Sequence, residues 1–206
     1  MSGHFQPRQF EVVLGAILTQ NSSWTNAEKA LRQLVQENLL DAYQIASCPL
    51  SQLERTVRSS GFFRQKAHRL KTVSCFILNF PRDFYCQVKR DELLSISGIG
   101  AETADSILLY ACDQPHFVVD AYTRRVFTRY GLLDEETDYD DVKTFFQSSL
   151  PKDVRLYKHF HALIVELAKQ TCKKRPHCDR CVLATPCRSG AITLISKEKQ
   201  RTDQLA

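Results

Sequence analysis

Long apolar runs are missing from this sequence. No stretch of about eighteen consecutive apolar residues occurs, and a bilayer-spanning helix requires roughly that many, so a membrane span is not expected. The first residues, Met1-Ser2-Gly3-His4, show no charged stretch followed by an apolar one. A secretory leader is therefore not expected, and a cytoplasmic chain is. Sustained apolar–polar alternation, the mark of a half-buried strand, is also missing, which argues against a sheet. Internal repeats and low-complexity linkers are absent. Tryptophan occurs once, at Trp24.

What is present reads as helix nearly throughout. Phe10, Val13, Leu14, Ile17 and Leu18 fall at the i, i+3, i+4, i+7 and i+8 positions of an amphipathic helix. Val142, Phe145, Phe146 and Leu150 repeat the pattern, as do Leu156, Phe160, Leu163, Ile164 and Leu167. Ser51 with Glu54 reads as a capping box, and Gly61 as a helix stop. At 206 residues, 43% apolar and 25% charged, the chain has room for one large domain or two modest lobes. In the last of these patterns His159 and His161 lie two residues apart and point to different sides of a helix. That spacing argues against a shared metal site, and both are read as structural or solvent-facing.

Charge and cysteine are unevenly placed. The net charge is +5, and from Lys169 onward nine basic residues stand against three acidic ones. A basic end on a near-neutral body suits a polyanion, since neutralised phosphates release counterions; charge alone suits a solvated tail equally well. Eight cysteines exceed what packing requires. Cys48, Cys75, Cys86 and Cys112 are scattered through apolar stretches and read as small buried hydrophobes. Cys172, Cys178, Cys181 and Cys187 fall within sixteen residues, spaced C-x5-C-x2-C-x5-C, with Pro176 and Pro186 shaping the two longer gaps. Four thiolates so close suit tetrahedral zinc or a [4Fe-4S] cluster, and spacing leaves both open.

The most informative stretch is Leu93-Leu94-Ser95-Ile96-Ser97-Gly98-Ile99-Gly100-Ala101-Glu102-Thr103-Ala104. One helical pattern runs into Gly-Ile-Gly and another leaves at once. Glycines permit positive φ and a close backbone approach, the isoleucine plugs the angle, and N–H groups at the second helix start suit a phosphate oxygen. Eighteen residues after Glu102, Val118-Val119-Asp120 precedes a further helical pattern. An aspartate there is an ordinary N-cap by position.

Hairpin, short connection, Val-Val-Asp and four-cysteine loop, in that order, are similar to the endonuclease III-like helix–hairpin–helix (HhH-GPD) DNA glycosylases, over nearly the whole chain. The resemblance implies that Asp120 is the catalytic carboxylate, stabilising oxocarbenium character on the deoxyribose or activating water. It implies that Cys172, Cys178, Cys181 and Cys187 hold a [4Fe-4S] cluster, although the first gap is one residue shorter than in endonuclease III. Gly98, Ile99 and Gly100 would grip the DNA backbone, as would Lys173, Lys174 and Arg175 of the cysteine loop. Gln20 matches the glutamine that fills the gap left by a flipped nucleotide, and Phe62 an apolar wedge in the base stack; simple packing is the bland alternative for Phe62. Glu102 stands at the position of the family's Schiff-base lysine, and a carboxylate cannot form that adduct. Leu18-Thr19-Gln20-Asn21, Ser60-Gly61-Phe62-Phe63 and Val119-Asp120-Ala121-Tyr122 resemble the 3-methyladenine glycosylase branch. There Trp24 is a base-pocket candidate, with core packing as its alternative. That branch carries a tryptophan-rich stretch where this chain reads His4-Phe5-Gln6-Pro7.

The expected architecture is therefore an all-α, two-lobed helix–hairpin–helix DNA glycosylase fold with a C-terminal [4Fe-4S] cluster loop. Residues 1–114 would form a helical lobe containing the hairpin (91–112). Residues 115–206 would hold the catalytic-aspartate helix, the C-terminal helices, the four-cysteine loop (172–187) and a basic tail. The expected activity is monofunctional removal of alkylated purines, 3-methyladenine foremost, from double-stranded DNA with a damaged base, by a monomer. Two rivals stand beside it: a bifunctional glycosylase/lyase acting on oxidised pyrimidines, and a non-catalytic iron–sulfur DNA-binding protein.

Overall fold

The five residues of the first amphipathic pattern are all sequestered: Phe10, Val13, Leu14, Ile17 and Leu18 are each 1% exposed or less. Burying a side chain of this size contributes about 1.5–3 kcal/mol, so this one face suffices to hold helix α1 (Pro7–Leu18) against its neighbours. The computed structural model describes residues 7–203. His4, Phe5 and Gln6 lie outside the described residues, as do the side chains of Lys197, Lys199 and Arg201. Among the described residues there is no strand, and no helix is long and apolar enough to cross a membrane.

The chain divides into two compact units, Met1–His116 and Phe117–Ala206. In the first, α1 is followed by α2 (Trp24–Gln36), α3 (Ala42–Ser47), α4 (Leu50–Thr56), a 3-10 turn (Arg58–Ser60), α5 (Phe63–Leu78), α6 (Phe84–Gln87), α7 (Arg90–Leu94) and α8 (Ala101–Tyr110). Their core gathers Leu31 and Leu34 of α2, Ile45 of α3, Leu53 of α4, Ala67, Leu70 and Val73 of α5, and Ile107 and Leu108 of α8 around the α1 face. Two of the helix starts are closed by their own neighbours. Ser23 accepts from Asn26 N, and Asp41 from Tyr43 N and Gln44 N. At the other end of α3, Lys71 Nζ donates to Ala46 O at 2.6 Å, closing carbonyls that the helix leaves open. Asp105 of α8 is fully buried, with its Oδ1 3.1 Å from Arg90 Nε and 3.2 Å from His116 Nδ1. That ionic cluster ties α7, α8 and the end of the unit together.

In the second unit, α9 (Ala121–Tyr130), α10 (Tyr139–Ser149), α11 (Val154–Gln170), a 3-10 turn (Cys178–Arg180) and α12 (Arg188–Asp203) surround an aromatic core. Phe117 stacks on Phe146 at 4.5 Å between centroids and meets Tyr157 edge-on at 5.5 Å. Such pairs add about 0.5–1.5 kcal/mol each beyond area burial. Aspartates cap three of these helices: Asp120 for α9, Asp138 for α10 and Asp153 for α11.

Three expectations are corrected. Ser51 and Glu54 form no capping box, because α4 begins at Leu50 with Pro49 at its N-cap and no side-chain cap bond. Proline's fixed φ starts the helix early and carries Ser51 inside its first turn. Cys48 and Cys112 are buried, but Cys75 and Cys86 are exposed. On α5 the inward positions are taken by Leu70, Val73 and Ser74, leaving Cys75 outside, and on α6 Phe84 takes the inward position. The buried stripe of α11 is Tyr157, Ile164 and Ala168, with Leu163 53% exposed. The helix is thus rotated from the expected face, and His161 turns inward with it.

Candidate functional site

The hairpin is built as its glycines require. Gly98 has φ +87, and a Cβ there would stand 2.4 Å from Arg69 Nε and 2.8 Å from Arg69 Cγ. Only glycine lets the arginine of α5 lie across the turn. Ile99 is 5% exposed and fills the angle between α7 and α8. Gly100 caps α8 in extended conformation with no side-chain cap bond, so the first-turn N–H groups keep their capacity for an outside acceptor. Glu102 is exposed in that first turn, a position where a carboxylate is favoured by the helix dipole.

Gln20, half-buried just beyond α1, is joined to this hairpin. Its Nε2 donates to Gly98 O at 3.0 Å and to Thr103 Oγ1 at 2.9 Å, and Arg69 Nη1 donates to its Oε1. Three residues before Arg69, the fully buried Lys66 donates from Nζ to Leu18 O and Ser60 O, both at 2.7 Å. Burial, and then Arg69, bring the Lys66 amine down to about 8. Lys66 thereby fixes the backbone two residues ahead of Gln20 and two ahead of Phe62. Phe62 caps α5 in the left-handed region (φ 47, ψ 32) and is 61% exposed, so it does not pack in the core. Trp24 opens α2 at 54% exposure beside Gly15 and is likewise not a core residue.

In the second unit, Asp120 is both cap and candidate catalyst. Its Oδ1 accepts from Thr123 N at 2.7 Å and Thr123 Oγ1 at 3.0 Å, and its Oδ2 lies 3.4 Å from His161 Nε2. Burial pushes the Asp120 carboxyl up, but the His161 contact and charge, with the Thr123 N–H and hydroxyl, outweigh it; the net shift is below the usual carboxylate range. The result is an anionic carboxylate, mostly enclosed, with both oxygens oriented.

The cysteine loop hangs from the far end of the same helix. Arg125 Nε donates to Cys172 O at 2.8 Å, Arg129 Nη1 lies 3.4 Å from Cys172 Sγ, and Cys187 Sγ donates to Arg129 O at 3.3 Å. Arg129 also donates to Lys173 O and Lys174 O, leaving the Lys173, Lys174 and Arg175 side chains exposed. Gly190 of α12 sits so close that a Cβ would lie 2.4 Å from Ala184 O. All four thiols are free. Among the described residues no three metal-binding side chains gather tightly enough to share one ion.

The sequence matches the HhH-GPD superfamily of base excision DNA repair proteins over residues 14–152. The chain belongs to that superfamily. It is 47% identical over 189 residues to a candidate DNA repair glycosylase of Methanocaldococcus jannaschii, covering 88% of this chain and 86% of that one. It is 32% identical over 185 residues to an endonuclease III of Sulfolobus acidocaldarius, covering 87% and 81%. Among solved structures, an H. pylori 3-methyladenine DNA glycosylase bound to 1,N6-ethenoadenine aligns with a TM-score of 0.73 at 34% identity, over 79% of this chain and 86% of that one. This HhH-GPD protein is an enzyme, a DNA N-glycosylase of base-excision repair.

Four residues of the HhH-GPD chain acquire a place that motif reading did not give them: His161 beside Asp120, Arg129 beneath the cysteine loop, and Lys66 and Arg69 behind the hairpin. His161 corrects the structural or solvent-facing assignment, since its side chain is 13% exposed and faces the carboxylate. His159 is exposed, as expected.

Proposed function

We propose that this glycosylase is monofunctional and removes alkylated purines, 3-methyladenine foremost, from duplex DNA, with Asp120 as the catalytic carboxylate. The observation that carries the reading is the state of Asp120: anionic, oriented at both oxygens and mostly shielded from water. A depressed pKa makes a poor general base at neutral pH but a persistent negative charge, suited to the positive charge that builds on the sugar as the N-glycosidic bond breaks. An N3-alkylated adenine is cationic, takes the bond's electron pair and departs neutral without a proton from the enzyme. Water then adds to the sugar carbon and releases a proton to solvent, giving an abasic site. The 34% identical H. pylori structure, named for 3-methyladenine, supports the substrate class. Glu102 at the lysine position supports a reaction that ends at hydrolysis.

In this reading residues 91–112 of the lobe 1–114 hold the DNA backbone, with Gln20 and Phe62 beside them and Trp24 as a stacking surface for the extruded base. The lobe 115–206 supplies Asp120 and the cysteine loop. The donor set fits a [4Fe-4S] cluster, which takes one thiolate at each of four irons and does not ask three of them to meet at one ion. Cys172, Cys178, Cys181 and Cys187 would hold it, and the Arg129 contact to Cys172 Sγ suits a thiolate. Bound there, it supplies a scaffold that presents Lys173, Lys174 and Arg175 to phosphate. Protein purified without oxygen is expected to be brown, to absorb near about 400 nm and to contain about four irons per chain. Stoichiometric zinc in a colourless protein would overturn this assignment.

The test of activity is release of free base from methylated DNA, measured beside duplexes containing thymine glycol or uracil. Borohydride is expected to trap no protein–DNA adduct, and product strands to stay intact until alkali is added. Excision of thymine glycol without release of methylated purines would replace this reading with the bifunctional one.

His161 gives a pH signature. Removing it leaves the desolvation that raises the Asp120 pKa and takes away the contact that lowers it. In His161→Leu the acid limb of the excision-rate profile is expected to move to higher pH. His161→Gln, which can keep an N–H toward Oδ2, should restore part of the shift. An unmoved acid limb would show that His161 does not govern the charge of Asp120.

A further inference from the structure

Gln20 has an amide whose orientation its partners dictate. Gly98 O can only accept and the Arg69 guanidinium can only donate, so the end facing Gly98 is NH2 and the end facing Arg69 is oxygen. Both N–H groups of Nε2 are engaged, one on Gly98 O and one on Thr103 Oγ1. Oε1 takes one bond from Arg69, and an amide oxygen has room for two. What Gln20 has left for a ligand is therefore an acceptor. Turning the amide over would set its oxygen against Gly98 O and its NH2 against a guanidinium, two repulsive contacts at once. Arg69 is also held in place, because its Nε, Cγ and Cδ occupy the space where Gly98 lacks a side chain. The Gln20 side chain thus sits within one hydrogen bond of the hairpin turn, the segment proposed above to hold the DNA backbone.

We propose that Arg69 is a positioning residue that locks Gln20 as a hydrogen-bond acceptor, so that the enzyme prefers a keto base, thymine or guanine, opposite the nucleotide it extrudes. The proposal rests on the reading of Gln20 as the residue that enters the vacated gap. Thymine N3 and guanine N1 carry a hydrogen at the centre of the pairing edge, whereas adenine N1 and cytosine N3 present lone pairs there. An acceptor-only Gln20 set at the centre of the edge bonds the first two; on the second two it meets a lone pair there and finds a donor only in the amino group at one side. This orientation also agrees with adenine-derived damage, whose partner strand carries thymine.

The test needs no excision and no knowledge of the lesion. The full chain is titrated with duplexes bearing a tetrahydrofuran abasic-site analogue opposite thymine, guanine, adenine or cytosine. Wild type is expected to bind the thymine and guanine duplexes roughly 3- to 10-fold more tightly than the other two, the range of one net hydrogen bond. Arg69→Met removes one of the contacts that orient the amide and leaves Gly98 O and Thr103 Oγ1, so it should lower that ratio, and Gln20→Leu should bring it close to one; Arg69→Lys, which keeps a cationic donor, should retain most of it. Thermal melting identifies any variant that has not folded, and Gln20→Leu then carries the test alone. Equal wild-type affinity for all four duplexes would overturn the proposal. So would an Arg69→Met protein that weakens on all four equally while keeping the ratio, because Arg69 would then be only a positive charge near the backbone. Failure to bind any of the duplexes would instead remove the reading of abasic DNA as partner, on which the proposal stands.

Discussion

Asp120→Asn is expected to lower single-turnover base excision by roughly 100- to 1,000-fold or more, the scale seen when one preorganised electrostatic group is removed. Affinity for lesion-bearing duplex should hold or rise slightly, because a negative charge near phosphates has gone. The substitution suits the test because asparagine keeps an oxygen for the cap bonds from Thr123 N and Thr123 Oγ1. Helix α9 should therefore still start where it does. Some stability is also lost. A carboxylate whose folded pKa is depressed adds stability above its unfolded pKa of about 3.9, and loses it as pH falls through the folded value. At neutral pH the variant forgoes that contribution in full, so rates are to be compared at matched folded fractions. Excision near the wild-type rate by a folded Asp120→Asn protein would remove Asp120 from the chemistry.

Asp105→Ala is expected to produce the largest loss of stability, about 3–5 kcal/mol, because it deletes the fully buried carboxylate that Arg90 and His116 share and opens a gap in its place. Asp105 is 0% exposed and Arg90 20%, with His116 on the same carboxylate oxygen as Arg90 Nε. For a chain of this size that corresponds to a melting midpoint lower by roughly 10 °C, readable by circular dichroism. Asp105→Asn keeps the shape and should lose less. An unchanged midpoint in Asp105→Ala would mean that the cluster contributes no net stability. The two aspartates thus separate by readout, one in rate and the other in melting.

Both follow the hairpin stretch closely in sequence, yet they were not equally legible. Asp120 announced itself through the Val-Val-Asp that follows a hairpin. Asp105 stood inside a helix pattern with nothing nearby in sequence to explain it, since its partners are Arg90, fifteen residues earlier, and His116 at the unit's end. The all-helical fold was readable because the α1 pattern is strongly periodic and all five of its residues are buried. The face of α11 was misread because Leu156, Leu163 and Leu167 drew the stripe toward leucine. Tyr157, His161, Ile164 and Ala168, at i, i+4, i+7 and i+11, are the residues that turn inward. Starting from the tyrosine would have placed His161 on the inner face. What it meets there, Asp120, is forty-one residues away in the chain, and only folding brings them together. Lys66 and Arg69 were invisible for a similar reason. A lysine and an arginine on an amphipathic helix are ordinarily solvated, and no local pattern shows that one of these is fully enclosed.

Helix α9 carries Asp120 at its N-cap and Arg129 in its last turn, and its ten residues span about 15 Å. The carboxylate is therefore mounted on one end of a rod whose other end is bolted to the cysteine loop through Arg125 and Arg129. A rigid rod converts a tilt at its anchored end into a displacement at its free end, and a swing of about 4° over this length moves the tip by about 1 Å. Misplacement on that scale can cost about 100-fold in rate. Accuracy at Asp120 is thus manufactured about three helical turns away along the same helix, where Arg125 and Arg129 hold the loop. If Asp120 and the hairpin act as proposed, damage to that loop would reach the chemistry as a loss of aim and leave the grip on DNA as it was.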